Sequence, residues 1–168
     1  MPTIKPIDAA WLETVKEPTI DPKRRIIDPH HHLWRRREIG AYLLDELWAD
    51  TGSGHNIEKT VFVECGSSYR DDGPEHLRCV GETAFVADIA AASATGGPGK
   101  AVIAGIVAHA DLTQGSALEE VLAAHQDAGH GLFRGIRHAG ARDPHPEDLM
   151  IAGRRRKDCT SARSSATV

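Results

Sequence analysis

The sequence predicts an α/β domain built around a parallel sheet. Strand-like apolar runs alternate with helical segments at intervals of roughly 30 to 40 residues, as in repeated βαβ units. Two of these runs, 60–64 and 102–107, are almost free of polar residues, which is typical of strands covered on both faces. The length of 168 residues allows one domain with a hydrophobic core. A doubly wound sheet and a (β/α)8 barrel both fit this alternation.

The amino-terminal part of the chain is expected to lead into the first strand. Prolines keep residues 1–24 extended, apart from a short helix predicted over residues 8–16 with Asp8 as its N-cap. Residues 26–28 predict the first strand. Pro29 is expected to end that strand because proline has no N–H to donate to a sheet.

Helix and strand patterns alternate after this point. An apolar stripe over residues 42–48 predicts a helix that ends at the following glycines. The β-branched and aromatic run 60–64 predicts the second strand. Pro74 is a favourable first residue for a long helix over about residues 75–94.

Two further strands complete the pattern. The run 102–107 predicts the third strand, and residues 132–137 predict the fourth. Between them, Ser116 and Glu119 have the spacing of a capping box at the start of a helix, and Gly129 follows the end of that helix. Four strands therefore alternate with three helices.

The composition excludes some classes of function and location. A net charge of -4 gives no basis for binding nucleic acid or an anionic membrane. No apolar run approaches the roughly 20 residues of a membrane span, and the first 25 residues lack the apolar core of a signal peptide. The three cysteines form no CxxC pair, so reduced thiols in a cytoplasmic protein are expected.

Three histidines follow the first strand, where a nucleotide-binding sheet would carry a glycine-rich phosphate loop. In an extended segment, His30 and His32 lie on one side, about 6.6 Å apart, so that both can bind one cation. His31 points elsewhere. A catalytic zinc needs three protein ligands and a water. The alternative is an exposed histidine run without a role.

The segment 28–34, Asp-Pro-His-His-His-Leu-Trp, resembles the D-x-H-x-H-L-W opening of the amidohydrolase-related proteins, and most closely their sugar-lactone and dicarboxylate-lactone hydrolase branch. The resemblance continues through residues 60–65 and 133–138 and covers about residues 25–150. It implies a (β/α)8 barrel whose metal-bound water attacks an ester or amide carbonyl of a small molecule. It also implies that His30 and His32 are ligands of a divalent ion, zinc or manganese. Some members of that branch are thought to work without a metal, so a site without a metal is the alternative.

Two side chains at strand ends are further candidates, because barrel enzymes carry their functional groups there. Glu64 ends the second strand, and we predict a catalytic role for it. The alternative is a carboxylate that only caps nearby backbone N–H groups. His109 ends the third strand and is a candidate for substrate binding, with a partly buried structural imidazole as the alternative.

Arg137 and His138 end the fourth strand, and neighbours on a strand face opposite sides. A guanidinium can hold a substrate carboxylate by two parallel hydrogen bonds, so Arg137 is predicted to bind substrate. His138 is a catalytic candidate. Gly135 is taken to mark a face that another group approaches closely, which favours Arg137 as the residue facing the site. The alternative for Arg137 is a salt bridge to Asp111 or Asp143.

The number of strands predicts an incomplete barrel. The later histidines and the aspartate of the family have no counterparts here. We therefore expect a lead-in at 1–24, the N-terminal half of a barrel at 25–153, and a basic disordered tail at 154–168 that reflects a truncated or frame-shifted gene. Little or no hydrolysis is expected from such a chain. The alternative is a non-catalytic half-barrel module that self-associates through the open edges of its sheet.

Overall fold

A four-stranded parallel sheet forms the centre of the protein. The computed structural model describes residues 9–36 and 40–139. The sheet strands, in order across the sheet, are β1 (Arg25–His31), β4 (Asn56–Val63), β5 (Val102–His109) and β6 (Phe133–Arg137). A separate antiparallel hairpin contains β2 (Trp34–Arg36) and β3 (Gly40–Tyr42). The helices are α1 (Ala9–Leu12), α2 (Leu44–Thr51), α3 (Val80–Ala94) and α4 (Ala117–Ala128). The predicted α/β class with a parallel sheet is confirmed.

The order of the four strands follows the chain without a reversal. A doubly wound sheet, in contrast, reverses its strand order at a switch point. All three pairings, β1 with β4, β4 with β5 and β5 with β6, are parallel. The carboxyl ends of all four strands therefore lie along one edge of the sheet, which we call the carboxyl edge.

Two apolar clusters hold the helices on the sheet. In the larger one, Phe62, Ile103 and Ile106 of the sheet pack with Val86 and Ala90 of α3, and all five are almost fully buried. Each large apolar side chain buried in this way stabilises the fold by about 1.5 to 3 kcal/mol. A smaller cluster joins the start of α3 to α4 near the carboxyl edge and contains Cys79, Val80, Ala110 and Val121.

The first strand is longer than predicted. β1 continues past Pro29 to His31, so the prediction that Pro29 ends the strand is wrong. The register of β1 against β4 shifts between Asp28 and His31, and Pro29 lies within that irregular interval. A proline is tolerated at such a place because no regular ladder hydrogen bond is required of it.

The hairpin of β2 and β3 was not predicted. Its two aromatic residues, Trp34 and Tyr42, are paired across the hairpin, with their rings stacked at 5.2 Å. The indole N–H of Trp34 also donates to the carbonyl of Gly40 at 3.1 Å. Because Tyr42 belongs to this hairpin, the helix predicted over 42–48 begins only at Leu44.

The helix starts also differ from prediction. A 3-10 turn, Glu75–Leu77, precedes α3, so the α-helix begins five residues later than predicted and ends at Ala94 as predicted. Ser116 is the N-cap of α4, but its hydroxyl makes no capping bond, so the predicted capping box does not form. The reason is that Ser116 already has helical φ and ψ, whereas a capping residue is normally extended.

Several expectations fall on residues that the structure does not describe. They are the basic tail at 154–168, residues 140–153 of the expected half-barrel, and residues 1–8 of the lead-in. Within the described part, Cys79 is a buried free thiol. No helix among the described residues has the length and apolar character needed to cross a bilayer.

Gly96 and Gly135 allow a matched test of packing. A methyl group on Gly96 would lie 2.4 Å from the ring of Trp48, whose indole N–H is held by the carbonyl of Ala101 at 2.9 Å. Gly96→Ala should therefore lower the free energy of unfolding by about 1 to 3 kcal/mol, the usual cost of overpacking. Gly135→Ala should change it by less than about 0.5 kcal/mol, because a methyl group there meets no described atom within 4 Å. Urea denaturation measures both, and equal losses would contradict this account of the packing.

Candidate functional site

The carboxyl edge of the sheet carries all six residues that the sequence predicts for the site. They follow the ends of the four strands: His30 and His32 at β1, Glu64 after β4, His109 at β5, and Arg137 and His138 at β6. Parallel pairing places strand ends at one edge, so this proximity follows from the topology. The contacts described below show which of the six side chains meet.

His30 and His32 are directly adjacent. Their Nε2 atoms are 3.3 Å apart and their rings are nearly perpendicular, at 88°. Nδ1 of His32 lies 2.7 Å from the carbonyl oxygen of Val63. A carbonyl can only accept, so Nδ1 carries the hydrogen in this contact and the lone pair of neutral His32 is on Nε2. The backbone N–H of His30 donates to the Asp28 carboxylate at 3.0 Å.

The spacing of the histidine pair fits a shared cation. Two imidazole nitrogens bound tetrahedrally to zinc at about 2.0 to 2.1 Å lie about 3.3 Å from each other. The hydrogen bond from His32 to Val63 is also the kind of outer contact that orients metal-binding histidines. Among residues 9–36 and 40–139, however, no group of three or more histidine, cysteine, aspartate or glutamate side chains is arranged to hold a metal ion. The described residues therefore present two candidate ligands, His30 and His32.

His31 has a different environment from its neighbours. It is only 7% exposed, its Nδ1–H donates to the carbonyl of Val61 at 3.1 Å, and its ring meets Phe62 edge-on. Burial lowers its pKa to about 4, so the ring is neutral at physiological pH. His31 is therefore buried against Val61 and Phe62 of β4.

Glu64 and Arg137 form an ion pair that spans β5. Nε of Arg137 donates to the Glu64 carboxylate at 2.9 Å, and a second guanidinium N–H donates to the backbone carbonyl of Glu64. The Glu64 side chain is 6% exposed and that of Arg137 is 31% exposed. Hydrogen bonds between charged groups of this kind are stronger than neutral ones. The pair fixes the guanidinium at the centre of the carboxyl edge.

Arg137 has a different ion-pair partner from the two aspartates that were considered as alternatives. The ion-pair partner of Arg137 is Glu64, while the Asp111 carboxylate lies 3.5 Å from Nδ1 of His138, and Asp143 lies outside the described residues. Gly135 was expected to mark a close approach, but no described atom lies within 4 Å of a methyl group placed there. The described residues therefore do not supply the close approach that was expected at Gly135.

His109 and His138 lie beside the Glu64–Arg137 pair, His109 at the end of β5 and His138 directly after β6. Nδ1–H of His109 donates to the carbonyl of Arg137 at 3.2 Å, and its ring stacks on Tyr69 at 6.4 Å. The side chain of His138 is 2% exposed, and its Nδ1 accepts the backbone N–H of Leu112 at 2.8 Å. His138 therefore faces the loop after β5.

The pKa of His32 is lowered from its ordinary value, and groups on three strands influence it. Burial lowers it most, and the nearby His30 and Arg137 lower it further, while the hydrogen bond to Val63 and the carboxylate of Glu64 raise it. The neutral imidazole that a metal ion requires is therefore favoured.

Two pockets adjoin the carboxyl edge. One, of about 320 Å³, is lined by the three histidines together with Asp28, Trp34 and Tyr42. The other, of about 650 Å³, lies beside His109 and is lined by polar groups that include Tyr69, Arg78 and Gln114. These volumes are sufficient for a small molecule.

Two residues of the site region were missed by the sequence analysis. Glu82, on α3, is 2% exposed and accepts backbone N–H groups from the loop after β4. His125, on α4, is fully buried; its Nε2–H donates to the carbonyl of His109 at 2.9 Å, and its Nδ1 accepts the hydroxyl hydrogen of Thr83 at 2.8 Å. A charged residue among apolar neighbours on α3 is the sequence signal that could have identified Glu82.

Comparisons with protein-family models, with curated proteins and with solved structures give no match to this chain. The resemblance to amidohydrolase-related proteins rests on the quoted motifs alone.

Because His125 is buried, we expect the stability of the protein to depend on pH. Burial lowers its pKa in the folded state below the value of about 6.5 expected in the unfolded chain. As the pH falls, the unfolded chain binds the proton first, so the stabilisation present above about pH 6.5 is lost as the pH falls through the folded-state pKa. Urea denaturation should show that the free energy of unfolding decreases less from about pH 7.5 to about pH 5.5 in His125→Gln than in the wild type.

The exposed His55 supplies the control for this comparison. His55→Gln should retain the wild-type pH dependence, while His125→Gln should also lose about 1 to 3 kcal/mol at the higher pH because its hydrogen bonds are perturbed. An identical pH dependence in all three proteins would rule out His125 as the titrating group.

Proposed function

We propose that this protein is a metal-dependent hydrolase of the amidohydrolase-related type, which cleaves a lactone or a similar carbonyl C–O or C–N bond with an activated water. The observation that carries the proposal is the 3.3 Å separation between Nε2 of His30 and Nε2 of His32 at the carboxyl edge. That separation fits two ligands of one cation. The motifs at 28–34 and 133–138 support the same class.

We propose further that the sheet is the first half of a (β/α)8 barrel. The support is its topology, since successive parallel strands are neighbours and the order does not reverse. In a barrel of this type the functional groups lie at the carboxyl ends of the strands, where the six candidate residues lie here. The later strands would supply the remaining ligands and would pair with β1 and β6.

Within this proposal, His30 and His32 hold a zinc or manganese ion. When bound, such an ion lowers the pKa of a water molecule and polarises a carbonyl group. The protein's own contribution is orientation. The carbonyl of Val63 fixes the ring of His32, and the Asp28 carboxylate holds the backbone of His30. The contact to Val63 reduces the entropy that would be lost when the imidazole of His32 binds an ion.

Arg137 is the group proposed to bind the substrate. A guanidinium has five N–H donors, and Glu64 receives two of them. Further donors are available for a carbonyl or carboxylate oxygen of the substrate. Glu64 thereby acts as the residue that orients Arg137. His138 keeps the loop after β5 in place through Leu112, and His109 supports the backbone of Arg137 from the other side.

A second candidate function is a non-catalytic binding or interaction module. The observation that favours it is that the described residues present two candidate metal ligands, one fewer than a catalytic zinc site uses. Zinc binding separates the two candidates, because the module needs no metal.

The histidine pair predicts zinc binding that depends on both rings. Titration of the purified chain with Zn²⁺, followed by calorimetry, should give one bound ion. His30→Ala and His32→Ala should each weaken binding at least about tenfold, since each removes one of two ligands. His55→Ala, which removes an exposed histidine elsewhere, should leave the affinity unchanged. Equal affinities in all four proteins would refute the metal site.

Hydrolysis by the chain is predicted to be weak. A panel of lactones, assayed with the zinc- or manganese-loaded chain, should show little or no turnover, because the described site lacks a third ligand. Turnover typical of an efficient enzyme, with kcat/KM of about 10⁴ M⁻¹s⁻¹ or more, would contradict the half-barrel proposal. Measurable turnover that disappears in Arg137→Ala and persists in Arg134→Ala would support the hydrolase and the role of Arg137.

A further inference from the structure

The loop after β4 is held on α3 by an internal carboxylate. Backbone N–H groups of Cys65 and Ser67 donate to the same oxygen, Oε1 of Glu82, at 3.2 and 2.7 Å. The thiol of Cys65 lies 3.5 Å from that oxygen. Two N–H groups that converge on one anionic oxygen form a small anion-binding turn, and here the protein fills it with its own side chain.

Three other features indicate that this loop packs closely against α3 and the turn before it. Ser68 has φ of +56°, a conformation that non-glycine residues adopt at an energetic cost. A methyl group on Gly81 would lie 2.6 Å from the carbonyl oxygen of Ser68, so the loop backbone rests directly on the first turn of α3. The N–H of Arg70 donates to the carbonyl of Arg78 at 2.9 Å. The conformation of this loop is therefore set by its contacts with α3.

Glu64 lies at the start of the same loop. Its N–H donates to the carbonyl of Val107 on β5 at 2.8 Å, and the next residue, Cys65, is held by Glu82. The Glu64 backbone is thus fixed on both sides. Arg137 depends on this arrangement because it binds both the carboxylate and the backbone carbonyl of Glu64. A displacement of the loop would shift both acceptors together.

We propose that Glu82 is a positioning residue of the site, whose carboxylate fixes the loop after β4 and thereby holds Glu64 in the place where it orients Arg137. The inference rests on the proposed function only for the use of Arg137 in substrate binding. Burial raises the pKa of Glu82, and the N–H groups of Ser67 and Cys65 oppose that change. A carboxyl group placed in the core needs such partners, because an unpaired buried charge is costly.

The test follows the Nε–H signal of Arg137 in ¹⁵N-correlated NMR spectra of the full chain, with Arg137→Lys used for assignment. The rate at which this hydrogen exchanges with water reports its bond to Glu64. In Glu82→Ala the exchange should be at least about tenfold faster, since the acceptor for two loop N–H groups is lost. Glu82→Gln keeps an acceptor oxygen in the same place and should remain within about threefold of the wild type.

Ser93→Ala is the matched control on the same helix. Ser93 is buried, and its hydroxyl oxygen accepts the N–H of Ile103 near the amino end of β5 at 3.0 Å. This variant loses a buried hydrogen bond far along α3 from Glu82 and should leave the Arg137 exchange rate unchanged. An acceleration as large as that of Glu82→Ala would show a general loss of stability and would overturn the proposal.

Two further outcomes are decisive. If Glu82→Ala does not fold, Glu82→Asp is measured, because its shorter side chain cannot reach both N–H groups; an unchanged exchange rate in whichever variant folds overturns the proposal. Zinc titration of the wild type tests the proposed function separately. Fast exchange in the variant with no zinc binding in the wild type would leave the positioning role intact and remove the metal site. Zinc binding in the wild type, together with an unchanged exchange rate in the variant, would leave the metal site intact and remove the positioning role.

Discussion

The hydrogen-bonded ladder of four parallel strands is the constraint on which the candidate site depends. Because β1, β4, β5 and β6 run in the same direction and follow one another in the sheet, their last residues share one edge. Glu64 and Arg137 are far apart in the chain, yet they meet across the end of β5. An antiparallel strand in the middle of this sheet would send its terminal side chain to the opposite edge.

The buried polar groups at this edge are matched by specific partners. Glu64 has Arg137, Glu82 has two backbone N–H groups, and His125 has a carbonyl on one nitrogen and a hydroxyl on the other. Removing one member of such a pair leaves the other buried without its partner, which costs more than the pair itself contributes. The edge is consequently expected to be stiffer than a surface of loops would be, and its geometry is set by helices α3 and α4 as much as by the strands.

The sequence was sufficient for the elements whose signal is local. The buried strand β5 is apolar from Val102 to Ala108, and Gly129 ends α4 as predicted. The hairpin of β2 and β3 was missed because its signal is a pair, Trp34 with Tyr42, which becomes visible only when the two residues are brought side by side. The same reason explains the partner of Arg137: sequence spacing offered Asp111 and Asp143, whereas strand order across the sheet selects Glu64.

Within the site, the position of each candidate at a strand end could be predicted, but its contacts could not. Alternation along an extended segment separated His31 from His30 and His32, and the structure has His31 in the core. The Nε2 separation of the pair depends on the carbonyl of Val63, which belongs to another strand. Glu82 acts on the site through backbone groups, and backbone hydrogen bonds leave no trace in side-chain patterns.

In the proposed metal site, the ring of His32 is oriented by the protein itself. His32 is tied to the carbonyl of Val63, so its imidazole would lose little freedom on forming a complex, and the backbone of His30 is held by Asp28. In the proposed metal site, the affinity for a cation would therefore depend mainly on the number of ligands. Two protein ligands would leave half of the four positions of a tetrahedral zinc ion to water. A third protein ligand would then act mainly by completing the shell, because the first two are already in place.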